Sequence, residues 1–403
     1  MTITFATDDL KPIAALHRRL RLPTITGVPI LSHICITLEM GKTEATIESS
    51  DLDIHITSRV AVTGPATSGT FTLPRKEFFE ILASTDKGSP IRLTTSDDSP
   101  HVEILHRSKK LNASTTLIGL PQDEFPISQD TLEDWSGTRH ILPSDTVRTI
   151  RASIAATSWD ETRYVLNGIL LDPSGHIVAT DGRRLVTTAA RVSTPKMILP
   201  NKFVTLLADP LLDSAAIVNV HDSHGDTTTP RVAAFIFAKT TICTNLIDGN
   251  FPNYLQVIPN VREYSITLAA STVESILPWL RTAAKRNMKS NSVKLEINAG
   301  KLRLSCKEPD HSESAISVPV HTTDAPPNAQ ISFNPAFLAD GLSLGLNTLD
   351  LIDEMSPGLL TNGTTRYVIM PMRITNFEAT EEPATEEQPE EETHQPDPEA
   401  IEV

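Results

Sequence analysis

The sequence predicts an α+β protein in which one unit, two helices packed on antiparallel sheet, is used three times. Three observations predict it. A strand end running into a short helix recurs as Leu73-Pro-Arg-Lys-Glu-Phe-Phe-Glu-Ile-Leu82, then 126 positions later as Leu199-Pro-Asn-Lys-Phe-Val-Thr-Leu-Leu207, and again as Ile331-Ser-Phe-Asn-Pro-Ala-Phe-Leu-Ala-Asp340. Glu124-Phe-Pro126 returns as Asn250-Phe-Pro252 at the same offset, and a shared long period marks a repeated architecture. Finally, each unit opens with an amphipathic helix candidate and continues in short segments that alternate apolar and polar residues, the period of half-buried strands.

Taken in order, the first helix is expected from about Asp8 to Arg21, capped by Thr7 or Asp8, with Leu10, Ile13, Leu16 and Leu20 as its apolar stripe. Ile34-Cys-Ile-Thr-Leu38 reads as a strand, and Ser49-Ser-Asp-Leu-Asp-Ile54 as a strand end with Asp51 and Asp53 at its rim. The second opening helix runs from about Ser144 to Thr157, turning Val147, Ile150 and Ile154 inward. The third lies around Ser271 to Met288 on Val273, Ile276, Leu277 and Leu280. Pro278 should kink it or mark a late start, because proline lacks the backbone donor and crowds the preceding turn. Val293-Lys-Leu-Glu-Ile297 and Leu302-Arg-Leu-Ser-Cys306 are strands of the third unit. The expected domains are 1–136, 137–262 and 263–375, followed by a tail at 376–403.

The tail carries eleven of the 50 acidic residues and no Lys or Arg. Too poor in large apolar groups to offset its ordering entropy, it is expected to be disordered, either as a solubilising appendage or as a regulatory, partner-binding one. Without it, 39 acidic residues face 35 basic ones, so a net charge of -15 shrinks to about -4 for the folded part. A body that near neutrality can still carry a local basic surface. The composition of the whole chain, 39% hydrophobic with a mean hydropathy of -0.12, fits a soluble cytoplasmic protein. No apolar run approaches the ~20 residues of a membrane span, and the first ten residues lack the basic flank of a signal peptide. Cys35, Cys243 and Cys306 are far apart and odd in number, which reads as three buried thiols in a reducing compartment.

Basic residues line the opening helices beside the apolar stripes. Lys11, Arg18 and Arg21 project together from the first, Arg148 and Arg151 share a face of the second, and Arg281, Lys285 and Lys289 follow at spacings of four on the third. Lys202, in the second copy of the short helix, joins this set. Any one such helix is more simply a solvated charged face, but three of one polarity suggest a common anionic partner. Lys and Arg without base-reading motifs suit sequence-independent contact with duplex phosphates, and an aromatic content of 5% disfavours stacking on single strands.

Enzyme signatures are missing. No phosphate loop of the GxxxxGK[ST] type, no GxSxG and no HExxH occurs. His221 and His224 fall in a polar loop without a matching ligand set, so no metal and no cofactor is expected.

Several motifs occur in an order that resembles the bacterial sliding clamp family, the β subunit of DNA polymerase III. They are Arg163-Tyr-Val-Leu-Asn-Gly168, Ala179-Thr-Asp-Gly-Arg-Arg-Leu185, Asp248-Gly-Asn-Phe-Pro-Asn-Tyr254 and Tyr367-Val-Ile-Met-Pro-Met-Arg373, with Phe125-Pro126 and Arg75-Lys-Glu-Phe-Phe79 as first-domain landmarks. Alone, Thr180-Asp-Gly-Arg183 is simply a turn; in this company it is a landmark, and the likeness covers residues 1–375. It implies a head-to-tail homodimeric ring of six domains that encircles duplex DNA with its helices towards the hole, holding on by topology and doing no chemistry of its own. It also implies a hydrophobic pocket between the second and third domains, where polymerase, clamp loader and repair proteins insert short linear motifs. By motif the pocket would comprise Arg163, Leu166, Thr180, Gly182, Arg183, Arg184, Leu185, Pro252, Val257, Asn334, Phe337, Val368, Met370, Pro371, Met372 and Arg373. Leu, Val and Pro supply a dry wall, Met370 and Met372 adapt to many partners, and Arg184 and Arg373 suit polar or carboxylate groups of the peptide.

Departures from the family's pattern include Arg183 where His is common, Val165 for an aromatic, Phe337 for Tyr, Gln256 for Arg, and a 22–29 loop without its usual basic residue. For the ring seam, Arg107, Lys109 and Lys110 on a presumed edge strand would face Glu308, Asp310 and Glu313 of the third unit, though each could be an ordinary surface charge. Two further readings stand beside the clamp: a clamp-like scaffold that no longer loads on DNA, and a nucleic-acid-processing enzyme.

Overall fold

A computed structural model describes residues 1–21, 27–96, 99–126, 139–190, 192–221, 231–286, 291–298, 300–307, 313–326 and 328–373. The repeating unit is half as long as the sequence period suggests. Six times over, a strand leads into a helix and then into three further strands. The helices are α1 (Thr7–Arg19), α2 (Arg75–Ser84), α3 (Ser144–Ser153), α4 (Asn201–Leu206), α5 (Ala270–Arg286) and α6 (Pro335–Ser343). Each domain contains two such halves, and the halves exchange their first strands. Thr2–Ala6 pairs with Pro90–Thr95 of the second half, while Gly69–Pro74 pairs with His33–Leu38 of the first. The other two domains repeat the exchange.

Half-sheets then join edge to edge through their last strands. Ile54–Ala61 pairs with Thr240–Asn245, linking the first domain to the second in an eight-stranded sheet. Arg184–Ala189 pairs with Thr365–Ile369, linking the second to the third; the short strand His321–Thr323 makes that sheet nine-stranded. The first and fourth halves are thus joined, as are the third and sixth. The last strands of the second and fifth halves, Leu111–Ile118 and Glu313–Pro319, remain as sheet edges among the described residues. Beside them Ile81, Leu117, Leu277, Trp279 and Ile316 are only partly covered, whereas Ile56 and Ile242 inside the closed seam are fully buried.

Helix packing follows most of the expected stripes, but Ile154, in the turn after its helix, and Leu277 are only partly buried. Leu10, Ile13, Leu16 and Leu20 are buried along α1, Val147 and Ile150 along α3, and Val273, Ile276 and Leu280 along α5. Three details depart from expectation. The residue before α1 is Ala6, and the Thr7 hydroxyl donates to the Ser89 carbonyl instead of capping the helix. Neither Pro12 nor Pro278 interrupts its helix; α5 runs unbroken past Pro278. Cys243 is only partly buried, while burial pushes the Cys35 thiol up to about 12 and leaves it inert. The tail at 376–403 lies outside the described residues.

The seam between the first two domains is held from inside by a neutral polar chain. His17 Nδ1 lies 2.8 Å from Ser49 Oγ and Nε2 3.1 Å from Ser58 Oγ, and Ser58 Oγ is 3.0 Å from Thr240 Oγ1 on the opposing strand. Burial, then the nearby Arg75 guanidinium, pull the His17 pKa down to about 3, so the ring is neutral at physiological pH. Arg75, buried at the start of α2, donates to the carbonyls of His17 (3.3 Å) and Leu20 (3.0 Å), satisfying the open end of α1. Asp51 lies past the strand end, as expected, and has a structural task. Its Oδ1 accepts from the backbone N–H groups of Asp53 and Ile54, closing the turn between two strands.

Candidate functional site

The second seam carries the candidate site. On its inner face the nine-stranded sheet contributes to the main core; on its outer face Leu170, Val178, Leu185, Ile198 and Val368 project as a separate apolar floor. Strand periodicity explains the division, since Leu185 and Val368 are cross-strand partners while Val186 and Tyr367 beside them point inward. Phe251, Tyr254 and Ile258 cover part of this floor. The uncovered remainder is a cavity of about 150 Å³ lined by Leu166, Thr180, Gly182, Arg183, Arg184, Leu185, Pro252, Asn253, Tyr254, Val257, Val368 and Met370. Val257 and Met370 keep 49% and 43% of their surface exposed, so the walls are apolar and solvent-facing. None of the lining residues is acidic.

The Thr180–Arg184 turn shapes one wall. Asp181 Oδ1 accepts from the backbone N–H of Arg183 (2.8 Å) and Arg184 (3.0 Å), and Gly182 takes the positive φ of +85° that the turn requires. Arg163 Nη1 donates to the Asp181 carbonyl at 3.0 Å, bracing the turn from outside. The Arg183 carbonyl accepts from Met370 N–H at 3.0 Å, extending the seam one residue past the strand.

Ten of the sixteen residues expected at the pocket line this cavity; Arg163, Asn334, Phe337, Pro371, Met372 and Arg373 do not. Arg184 points to the inner side of the seam. Its Nε donates to Asp181 Oδ2 at 3.0 Å, its Nη1 to Asp340 of α6, and its guanidinium lies 4.1 Å from the Phe337 ring centroid. Tyr367 Oη donates to the Phe337 carbonyl at 2.9 Å, and burial pushes its phenol pKa up. Arg184 and Phe337 therefore form a clasp between the second and third domains. Asn334 caps α6, accepting from the N–H groups of Ala336 and Phe337. Met372 N–H donates to the Ser332 carbonyl, and Pro371 and Arg373 continue the chain outward, Arg373 exposed. Asn253 and Tyr254 line the cavity without having been singled out. They fall in the quoted Asp248–Tyr254 segment, but nothing in their residue type separates lining from structural support.

Among the expected DNA-facing residues, Arg18, Arg21 and Lys202 line one cleft of about 410 Å³ between the first and second domains, with Arg19 and Trp159. Many of these cations have partners. Lys11 donates to the Thr85 carbonyl at 2.7 Å and Arg18 to that of Phe79. Arg19 pairs with Asp209 (2.9 Å), Arg148 with Asp213 (2.8 Å) and Lys202 with Asp53 (3.3 Å). Acidic residues from neighbouring elements thus reach helix faces whose own sequences lack them. Arg151 is partly buried, Arg281 donates to Ser343 Oγ at 3.1 Å, Lys285 is exposed, and Lys289 lies outside the described residues.

At the expected seam, Arg107 sits one strand in from the edge, opposite Asn112. Lys109 and Lys110 form the hairpin turn before the edge strand, with positive φ and backbone N–H groups held by the Asp86 carboxylate. Glu313 begins the other edge strand and accepts from Arg303 at 2.8 Å. Glu308 and Asp310 lie outside the described residues.

A three-domain body of six strand–helix–sheet halves, with an apolar pocket over its second seam, has the architecture of a sliding clamp. Models of the DNA polymerase III beta subunit match all three parts of the chain, the N-terminal domain over residues 3–129, the central domain over 141–253 and the C-terminal domain over 256–373. The chain belongs to the DNA polymerase III beta subunit family. It is 28% identical over 369 residues to the beta sliding clamp of Haemophilus influenzae and 27% identical to that of Escherichia coli K12, in each case over 86% of this chain and 93% of the relative. A DnaN sliding clamp from Bartonella birtlesii, solved bound to griselimycin, is 25% identical and superposes with a TM-score of 0.76 over 93% of this chain and all of that one. The Caulobacter crescentus clamp, solved with polyethylene glycol at a putative beta-motif tethering region, superposes with a TM-score of 0.78 over 93% of this chain and 99% of that one.

Proposed function

We propose that the protein is a DNA sliding clamp: two copies close head to tail around duplex DNA and tether polymerase, clamp loader and repair proteins through the pocket on the second seam. The observation that carries this reading is the pair of sheet edges left by the joining rule. Halves one and four join, as do three and six. Only two and five remain, with Leu111–Ile118 and Glu313–Pro319 as their edges and partly covered apolar residues beside each. The two edges lie in the terminal domains, and a second copy supplies the matching strand at each end, which closes a ring and removes both edges. The proposed domains are 1–136, 137–262 and 263–375. Contact with DNA rests on Arg21, Lys285 and the cleft bearing Arg18 and Lys202, needs no base reading and no cofactor, and weakens with salt. Persistence then comes from topology, so catalysis by the chain itself is not required, and its work is cytoplasmic.

Averaged negative-stain images of the purified protein test the reading. Closed rings with a central hole are expected; compact particles without a hole overturn it. The ion pairs on Arg19, Arg148 and Lys202 favour the scaffold reading to one extent, since they reduce free positive charge on the helices. Loader-dependent retention on nicked circular DNA separates the two: a scaffold binds peptides but is not retained.

A further inference from the structure

Resting on the pocket reading, we infer that Arg183 is a specificity-determining residue that selects partner peptides carrying an acidic side chain next to their apolar anchor. The cations around the pocket differ in what they have left to give. Arg184 is spent on Asp181 and Asp340. Arg163 is spent on the Asp181 carbonyl and lies 3.8 Å from Asp160. Asp181 makes no ion pair with Arg183: its Oδ1 takes two backbone N–H groups and its Oδ2 takes Arg184 Nε. The Arg183 side chain is exposed on the cavity wall and makes no hydrogen bond or ion pair among the described residues. Its backbone is pinned on both sides, by Asp181 at the N–H and by Met370 at the carbonyl, so the guanidinium is presented from a fixed point.

With no carboxylate in the lining, a peptide whose apolar side chains fill the floor over Leu185 and Val368 places its flanking residues beside an unpaired, planar, five-donor cation. An Asp or Glu there gains a charge-assisted, two-pronged pair at the edge of an apolar surface; a neutral residue gains little. The interaction is one of selectivity, because the apolar floor binds either peptide.

The test uses the full-length protein and a set of synthetic ten-residue peptides sharing one leucine- and phenylalanine-bearing anchor, with Asp or Asn placed in turn at each flanking position, titrated by calorimetry. At one flanking position at least, the Asp peptide is expected to bind about five- to tenfold more tightly than its Asn twin, the range for a partly desolvated charge-assisted pair. The ratio should fall close to one in Arg183→Ala, invert in Arg183→Glu, be partly restored in Arg183→Lys, and shrink as ionic strength rises. Equal binding of every Asp and Asn pair overturns the inference while leaving the pocket reading in place. Failure of all the peptides to bind overturns both. An Asp preference that survives unchanged in Arg183→Ala places selectivity elsewhere and also overturns the inference.

Discussion

The two closed seams are built alike and finished differently. Each joins two last strands in antiparallel register over five residue pairs, Thr240↔Ser58 to Thr244↔Ile54 in one and Arg184↔Ile369 to Thr188↔Thr365 in the other. On the outer face of the first, His55 opposes Cys243 and Thr57 opposes Thr241, and Glu48 accepts from His55 and Thr57. On the outer face of the second, Leu185 opposes Val368. The inner faces are reversed in kind: the first seam is bridged by neutral hydroxyls and an uncharged imidazole, the second by an arginine with two carboxylates. A shared backbone joint thus carries a polar outer face or an apolar pocket according to which residues occupy a few outward positions. The repeated Phe-Pro segments make the same point. Phe125 packs against His55 with Ile30 and Cys35, whereas Phe251 packs on the floor and leaves Pro252 at the cavity wall.

Placing a charge at the open edge is the most severe way to break the comparison. In Leu117→Asp, a carboxylate stands in the partly covered apolar strip that a second copy should bury, and light scattering is expected to report a monomer where the parent chain is a dimer. Next in size is the pocket. Leu185→Ala with Met370→Ala should weaken binding of an apolar-anchored peptide by about 100-fold, since two floor or wall side chains worth roughly 1–3 kcal/mol each are truncated. Unchanged affinity by calorimetry would remove the pocket assignment. Leu185 is buried and its loss also costs stability, so Met370→Ala alone, at a half-exposed side chain, checks that the effect is local.

Smaller changes separate the two inner faces. Arg184→Leu strips the partner from Asp340 and Asp181; Asp340 is 38% exposed, so the cost should be about 2 kcal/mol rather than the full penalty of a buried orphan charge, read as a lower unfolding midpoint in urea. The first seam should instead respond to pH. The folded-state pKa of His17 lies below its unfolded value, so acidification protonates the unfolded chain first, and stability is lost as pH falls from 6.5 towards 3. The slope from this group is at most about 1.4 kcal/mol per pH unit. Melting His17→Gln alongside the parent chain at pH 7.5 and 5.5 should show the parent losing more between them; parallel losses would mean the imidazole is not the sensor. Deleting 376–403 should change least of all, leaving dimerisation intact by light scattering.

The domain-level plan was legible because apolar residues at strand and helix periods report directly on burial; of the floor, only Leu185 and Val368 were expected, through the likeness of their motifs to the family's, while Leu170, Val178 and Ile198 were not. The 126-residue offset betrayed the domain repeat, yet the finer half-domain repeat stayed hidden: its copies share geometry but no residue pattern as plain as Phe125-Pro126 and Phe251-Pro252. Strand exchange was also invisible, since a strand's own alternation does not name its neighbour. The charges were the least legible. Lys11, Arg18, Arg148 and Lys202 read as a free basic surface along their own helices, but Thr85, Phe79, Asp213 and Asp53 come from elements distant in sequence. Arg184 and Arg183 are adjacent and identical in type, and only the fold shows that one is occupied and the other available.

The exchange of first strands bears on how such a body yields to force. Pulling one half away from its sister strips a strand from both sheets of the domain together, so no half can peel off alone. The two joints inside the chain are stitched by five residue pairs each and backed by continuous core. If two copies close as proposed, their mutual joint is the one place where this backing within a single chain is missing, and a ring opened there would keep every domain folded.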